Sequence, residues 1–174
     1  LLADTICASH GWTIAGTHYY TGISSVSDKP FWNHFCTAKM AVMGTRGIRT
    51  FSRPLRYRNQ TVALPDGTLT VTLVGQGKGV DVRIALDIVR FALENKYDVA
   101  LIFSQDQDLS EAVQDVKKIL ILQNRWIKCA CAFPVSPTTP KTRGINGTDW
   151  IRIDRKTYDS CIDPKDYRPK KGSP

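Results

Sequence analysis

Val99-Ala-Leu-Ile-Phe-Ser104 is the stretch that most constrains what this chain can fold into. Its apolar residues follow one another without polar alternation. That pattern describes a strand covered on both faces, and such strands belong to parallel sheets flanked by helices. The stretches around it have a helical period. From Asp81 to Leu93, Val82, Ala85, Leu86, Val89 and Leu93 fall on one stripe, which Ile84, Ile88 and Phe91 widen. Asp108 to Leu122 reads as the next helix and Trp126 to Ala132 as the next apolar strand. Alternation of this kind predicts an α/β domain with a mainly parallel sheet, in which the strand at Val99 is central.

The same reading extends to both ends. Leu2 and Ile6 stand four apart ahead of Gly11, which predicts a short helix ending at the glycine. Trp12 to Tyr20 alternates and reads as a strand. Asp28 before Lys29-Pro30 starts a helix whose buried face is Phe31, Phe35, Ala38 and Val42, with Gly44 as its stop. Ile48 to Ser52 is a short strand. Arg58 to Leu64 and Thr68 to Val74 flank Pro65-Asp66-Gly67, a β-hairpin with one face buried and one wet. It breaks the strand–helix order and so reads as an insertion at about residues 55–75. Phe133 to Gly144 is a loop, and Trp150 to Ile153 is a last short strand. Residues 1–162 form one domain on this reading. Residues 163–174, with Lys165, Arg168, Lys170 and Lys171, form a mobile basic tail.

Charge bears on partners. Lys and Arg number 24 against 16 Asp and Glu, a net charge of +8, which favours polyanions. Between Lys29 and Pro65 the basic residues are Lys29, Lys39, Arg46, Arg49, Arg53, Arg56 and Arg58, with no acidic residue among them. Arginines interleaved with Phe51 and Tyr57 fit a nucleic-acid surface, and equally a solvated face. No apolar stretch approaches the roughly 20 residues of a membrane span, so no membrane partner is expected. The 5 cysteines match no disulfide framework or zinc spacing. Cys129 and Cys131 share a strand face and read as reduced core residues, which implies a cytoplasmic location.

In open parallel sheets the ligand site lies beyond the carboxyl ends of the strands. Ser104-Gln-Asp106-Gln-Asp108 follows one strand, and Gly75-Gln-Gly77-Lys78-Gly79-Val80-Asp81 opens a helix. Asp81, Asp106 and Asp108 would converge at one sheet edge. Converging carboxylates repel, and a hard divalent cation, Mg²⁺ or Mn²⁺, resolves the repulsion. Capping is the competing explanation. Asp108 with Glu111 fits a capping box, and Asp81 suits the positive end of its helix; Asp106 is left over. Other motifs fail on spacing. Val80 stands where the dinucleotide fingerprint needs its third glycine, and Gly79 follows Lys78 where a phosphate loop needs Ser or Thr. Glu111 and Lys117 occupy the positions where an EF-hand needs Gly and Glu. The aspartyl-nucleophile phosphatases need a downstream Asp-Asp pair that is absent.

Lys78-Gly-Val-Asp-Val-Arg-Ile-Ala-Leu-Asp87-Ile-Val, followed by Tyr97-Asp-Val-Ala-Leu-Ile-Phe-Ser104-Gln-Asp-Gln-Asp108-Leu, resembles the NYN domain, a branch of the PIN-like nuclease superfamily. The resemblance is most specific over residues 76–132. It implies a three-layer α/β/α sandwich and metal-dependent cleavage of RNA, with Asp81, Asp106 and Asp108 as metal-binding catalytic residues and Ser104 as the polar residue at the strand end. Gln105 stands where the family often has glycine. The family opens with a strand ending in an aspartate, in a motif like Asp-Gly-x-Asn. This chain shows no such segment, and nothing precedes Leu1 to cap the first helix, so the resemblance places that strand upstream of residue 1.

The leading expectation is therefore a Mg²⁺- or Mn²⁺-dependent ribonuclease in which Lys78, Arg46, Arg49, Arg53, Arg56 and Arg58 hold the RNA backbone. Two alternatives stay open: a non-catalytic nucleic-acid-binding module on the same scaffold, and a small-substrate phosphohydrolase. A homo-oligomer is compatible with each.

Overall fold

Helices and strands follow one another as α1 (Leu2–Ser9), β1 (His18–Ile23), α2 (Pro30–Thr45), β2 (Arg49–Pro54), β3 (Arg56–Ala63), β4 (Leu69–Gln76), α3 (Val80–Leu93) and β5 (Val99–Ile102). After a 3-10 turn at Gln107–Leu109 come α4 (Ser110–Leu122), β6 (Lys128–Pro134), β7 (Asp149–Ile153) and α5 (Arg155–Ser160). The computed structural model describes residues 1–138 and 142–168; Lys170 and Lys171 of the expected tail lie outside the described residues. Pairing is parallel in β1–β2 and in β5–β6–β7, and antiparallel in the β3–β4 hairpin. The architecture is mixed α/β. The chain divides into two compact units: Leu1–Ala15 with Asp81–Pro164, and Gly16–Val80 with the segment that starts at Lys165.

In the first unit the strand order is β5-β6-β7, with β6 in the middle. The strand at Val99, expected to be central, is thus an edge strand of this sheet. Its lack of alternation still reflects the covering of both its faces, which does not require a central position. On one face Ile102, Cys131 and Phe133 pack with Ile88 and Ala92 of α3 and with Ala112, Val113, Val116 and Ile119 of α4. On the other, Leu101, Ala132, Ile151 and Ile153 pack with Leu2 and Ile6 of α1. The stripe expected on α3 is rotated: Val82, Leu86 and Leu93 are exposed, and Ile84, Ala85, Ile88, Val89 and Ala92 face the core.

The strand expected from Trp12 begins only at His18. Trp12 belongs instead to the end of α1. Its N–H donates to the Cys7 carbonyl at 2.9 Å while Gly11 donates to Ala8 at 3.2 Å. This double closure needs a left-handed residue at Gly11, whose φ is +69°. The Trp12 ring then lies tilted against His10, with the ring centroids 4.7 Å apart. Helix α2 closes in the same way, by Ile48 N–H to Met43 and Gly47 N–H to Gly44, both 3.0 Å, so its stop is Gly47 rather than Gly44.

In the second unit, α2 has no buried residue, against the buried face expected there. Phe31 and Trp32 are 44% and 53% exposed. The hairpin pairs Arg56 with Gln76 through Ala63 with Leu69. Its turn is held by the Thr68 N–H, which donates to Asp66 at 2.9 Å. Leu69, Val71 and Leu73 share one face of β4 and are exposed, so the expected buried face of the hairpin is also open. Period-2 alternation marks the two faces of a strand but not which of them another layer covers. The C-terminal segment differs from expectation too: Tyr167 is 9% exposed, with its ring 6.2 Å from that of Phe35 on α2.

Candidate metal centre

The site is built where β5 ends. Ser104 and Asp106 bend the chain there by bonding their own backbone, the usual behaviour of Ser and Asp in tight turns. The Asp106 N–H donates to Ser104 Oγ at 3.1 Å, and the Asp108 N–H donates to Asp106 Oδ1 at 3.1 Å. Asp106 therefore caps the 3-10 turn that leads into α4. The cap expected of Asp108 with Glu111 is not made; α4 has no side-chain cap of its own. Asp81 comes from the first turn of α3. Asp81, Asp106 and Asp108 each offer a carboxylate oxygen, and the three oxygens lie within 4.8 Å of one another. Asp106 and Asp108 are exposed.

Three like charges this close repel by about 1 kcal/mol per pair even at the dielectric constant of bulk water. The donor set is all oxygen, all anionic and open to solvent. It fits a hard divalent cation that keeps part of its hydration, and it does not suit a soft metal, which prefers sulfur or imidazole.

A second loop supports the first. Gln107 Nε2 donates to the Gly144 carbonyl at 2.8 Å, and the Asn146 N–H donates to Gln107 Oε1 at 3.1 Å. Gln105 Nε2 donates to the Arg143 carbonyl at 3.0 Å. From below, the buried Cys131 thiol donates to the Ser104 carbonyl at 2.7 Å. Gly144 is required by space, because a Cβ there would lie 2.8 Å from both Phe133 Cε1 and Trp150 Cδ1. Gln105, Gln107, Cys131 and Gly144 are supporting residues missed in the sequence. Only the glutamines stood next to the acidic motif, and their partners lie on a loop remote in sequence.

The NYN domain family model matches residues 17–121, more than half of the chain, with all three aspartates inside the match. The chain belongs to the NYN domain family. The NYN domain is a branch of the PIN-like nuclease superfamily, whose members are generally metal-dependent nucleases, so membership points to an RNA-related, nuclease-like function. No curated protein and no solved structure is significantly similar to the chain.

The six basic residues expected to hold the RNA backbone belong to the second unit. Arg49 and Arg53 lie on β2, Arg56 and Arg58 on β3, and Arg46 at the C-terminal end of α2. All five, with Lys78, are exposed. Arg49, Phe51 and Arg53 share one face of β2, and the Arg53 guanidinium sits 5.6 Å from the Phe51 ring centroid. Gly79, at φ +81°, lets Arg53 lie against its backbone: a Cβ there would be 2.7 Å from Arg53 Nη1. Among the described residues no helix is long and apolar enough to cross a membrane.

Proposed function

We propose that this NYN domain is a Mg²⁺- or Mn²⁺-dependent ribonuclease that hydrolyses phosphodiester bonds of RNA. The convergence of Asp81, Asp106 and Asp108 within 4.8 Å carries the reading, together with the nuclease character of the family. The three aspartates would hold the cation. A cation bound there supplies a Lewis acid that lowers the pKa of a water and stabilises the developing charge of the phosphodiester. Ser104 Oγ accepts the Asp106 N–H and keeps its own proton to donate to a water or a phosphate oxygen. Arg46, Arg49, Arg53, Arg56, Arg58 and Lys78 would hold the RNA backbone through charge. In this reading residues 1–162 are one PIN-like α/β/α domain with a hairpin insertion at about 55–75. Helices on both faces of β5–β6–β7 support that layering. A cytoplasmic location goes with it, supported by 5 free cysteines.

The test is cleavage of a labelled single-stranded RNA by the full-length protein with and without Mn²⁺, beside its Asp106→Asn variant. The expected result is metal-dependent cleavage that the substitution slows by about 100-fold or more. Equal cleavage by the two proteins overturns the catalytic assignment. Tight RNA binding with no cleavage in either leaves a binding module. Turnover of a small phosphoester in place of RNA leaves a phosphohydrolase.

A further inference from the structure

Helix α2 presents a ladder of rings to solvent. Phe31 and Trp32 meet edge-on at 5.3 Å, Trp32 and Phe35 at 5.8 Å, and Phe35 and Tyr167 at 6.2 Å. The inner end of the ladder is closed: Tyr167 is 9% exposed, and Lys39 Nζ lies 5.9 Å from the centroids of both Phe35 and Tyr167. The outer end is open, with Phe31 44% and Trp32 53% exposed. Two large adjacent rings left in water are a costly feature in a helix that could have carried polar residues there.

We propose that Phe31 and Trp32 form a platform on which bases of single-stranded RNA stack. Charge complementarity selects this occupant. Helix α2 contains no acidic residue, Lys29 stands at its N-cap, and from Lys29 to Pro65 all charged residues are basic. Of the acidic residues close in sequence to these rings, Asp28 accepts from Ser25 Oγ and is followed at once by Lys29, and Asp166 is engaged by Arg168, whose Nη2 donates to it at 2.7 Å. Exposed rings beside cations are the combination that holds single strands, through stacking on the ring faces and attraction of the phosphates. The proposal rests on RNA as the substrate and adds a role for the bases, separate from both the acidic cluster and the backbone-binding arginines.

The experiment is equilibrium binding of the full-length protein, in EDTA so that nothing is cleaved, to an oligouridylate of about twelve nucleotides, a length within the range of single-strand sites. The second probe is an abasic ribose-phosphate strand of the same length. Trp32→Ala and Phe31→Ala should each weaken oligouridylate binding about tenfold, the effect of losing one stacked base. Neither should change the abasic strand's affinity or the salt dependence. Trp32→Tyr, which keeps a ring, should retain most of the affinity, and Trp32→Leu should not. Unchanged oligouridylate affinity in Trp32→Ala and Phe31→Ala overturns the platform. So does equal loss on both strands, or equal affinity of the Tyr and Leu variants, which would mark an apolar protein-docking face. A dimer in sedimentation that Trp32→Ala dissociates also overturns it. Failure here is separable from failure of the enzyme reading. Metal-dependent cleavage with an unchanged KM in Trp32→Ala removes the platform alone, and ring-dependent binding without cleavage removes the nuclease alone.

Discussion

Asp106 has two tasks at once: its carboxylate accepts the Asp108 N–H at 3.1 Å and also belongs to the acidic cluster. The two tasks respond differently to substitution. Asparagine keeps an acceptor oxygen and is as good a cap as aspartate. Without metal, Asp106→Asn should therefore melt no lower than the parent, since it keeps the cap and relieves the repulsion, while Asp106→Ala should be about 1 kcal/mol less stable than Asp106→Asn. Both should bind Mn²⁺ more weakly in calorimetric titration, because each removes a charged donor. Cys129 carries a pH prediction. Burial holds its thiol neutral and pushes its pKa up to about 11. The unfolded chain titrates near 8.5. With the folded value raised, the stabilisation is fully present below about pH 8.5 and is lost as pH rises toward 11. Urea unfolding at pH 10.5 should show roughly 2 kcal/mol less stability than at pH 8. Cys129→Ala should flatten that decline. Tyr97, whose hydroxyl donates to the Ile88 carbonyl at 2.8 Å, is also pushed up by burial and would add to the loss at higher pH.

Helix α3 shows how an element can mislead a reading by period. Asp87 is 5% exposed because Arg83 and Arg90, a turn away on either side, each place a nitrogen 2.9 Å from its carboxylate. A paired carboxylate can be buried, but counting apolar positions scores it as polar and turns the expected stripe toward Val82 and Leu86. Removing one partner of a fully buried pair costs about 3–5 kcal/mol. The arginine side chains here are 36% and 51% exposed, so Asp87→Ala should cost less, about 2 kcal/mol in urea unfolding. Asp87→Leu, which replaces the carboxylate with a well-packed apolar group, should recover part of that loss. Helix ends misled in a milder way. Asn95 and Asn124, at φ 54° and 45°, close α3 and α4 as Gly11 and Gly47 close α1 and α2. The left-handed position accepts asparagine as well as glycine, so glycine alone does not mark every stop.

At the scale of the molecule the governing quantity is the charge of +8. If the arginines hold RNA by its phosphates, the logarithm of affinity should fall linearly with the logarithm of salt, with a slope of about −0.7 per contact for a single strand. Replacing Arg49 and Arg53 together should weaken binding to all sequences alike and flatten that slope by roughly 1.4. A binding constant insensitive to salt would contradict the electrostatic role. Much of the molecule was legible in advance. The order of helices and strands as far as β7, the hairpin at Pro65-Asp66-Gly67, the family and the three aspartates all follow from patterns along the chain, whereas α5 was not anticipated. Those patterns are local: backbone hydrogen bonding imposes periods of 3.6 and 2, turns demand particular residues, and a motif keeps its spacing. The aspartates at 106 and 108 are neighbours in one loop, so their company was visible before any fold. What packing between distant segments controls was not legible. The tertiary structure decided that β6 lies between β5 and β7 and that Asp87 turns inward. It also decided that Gln107 ties the acidic loop to Gly144, and that the rings of α2 face solvent. Each is set by which surfaces of remote elements meet and exclude water, a property of the assembled chain rather than of any window along it.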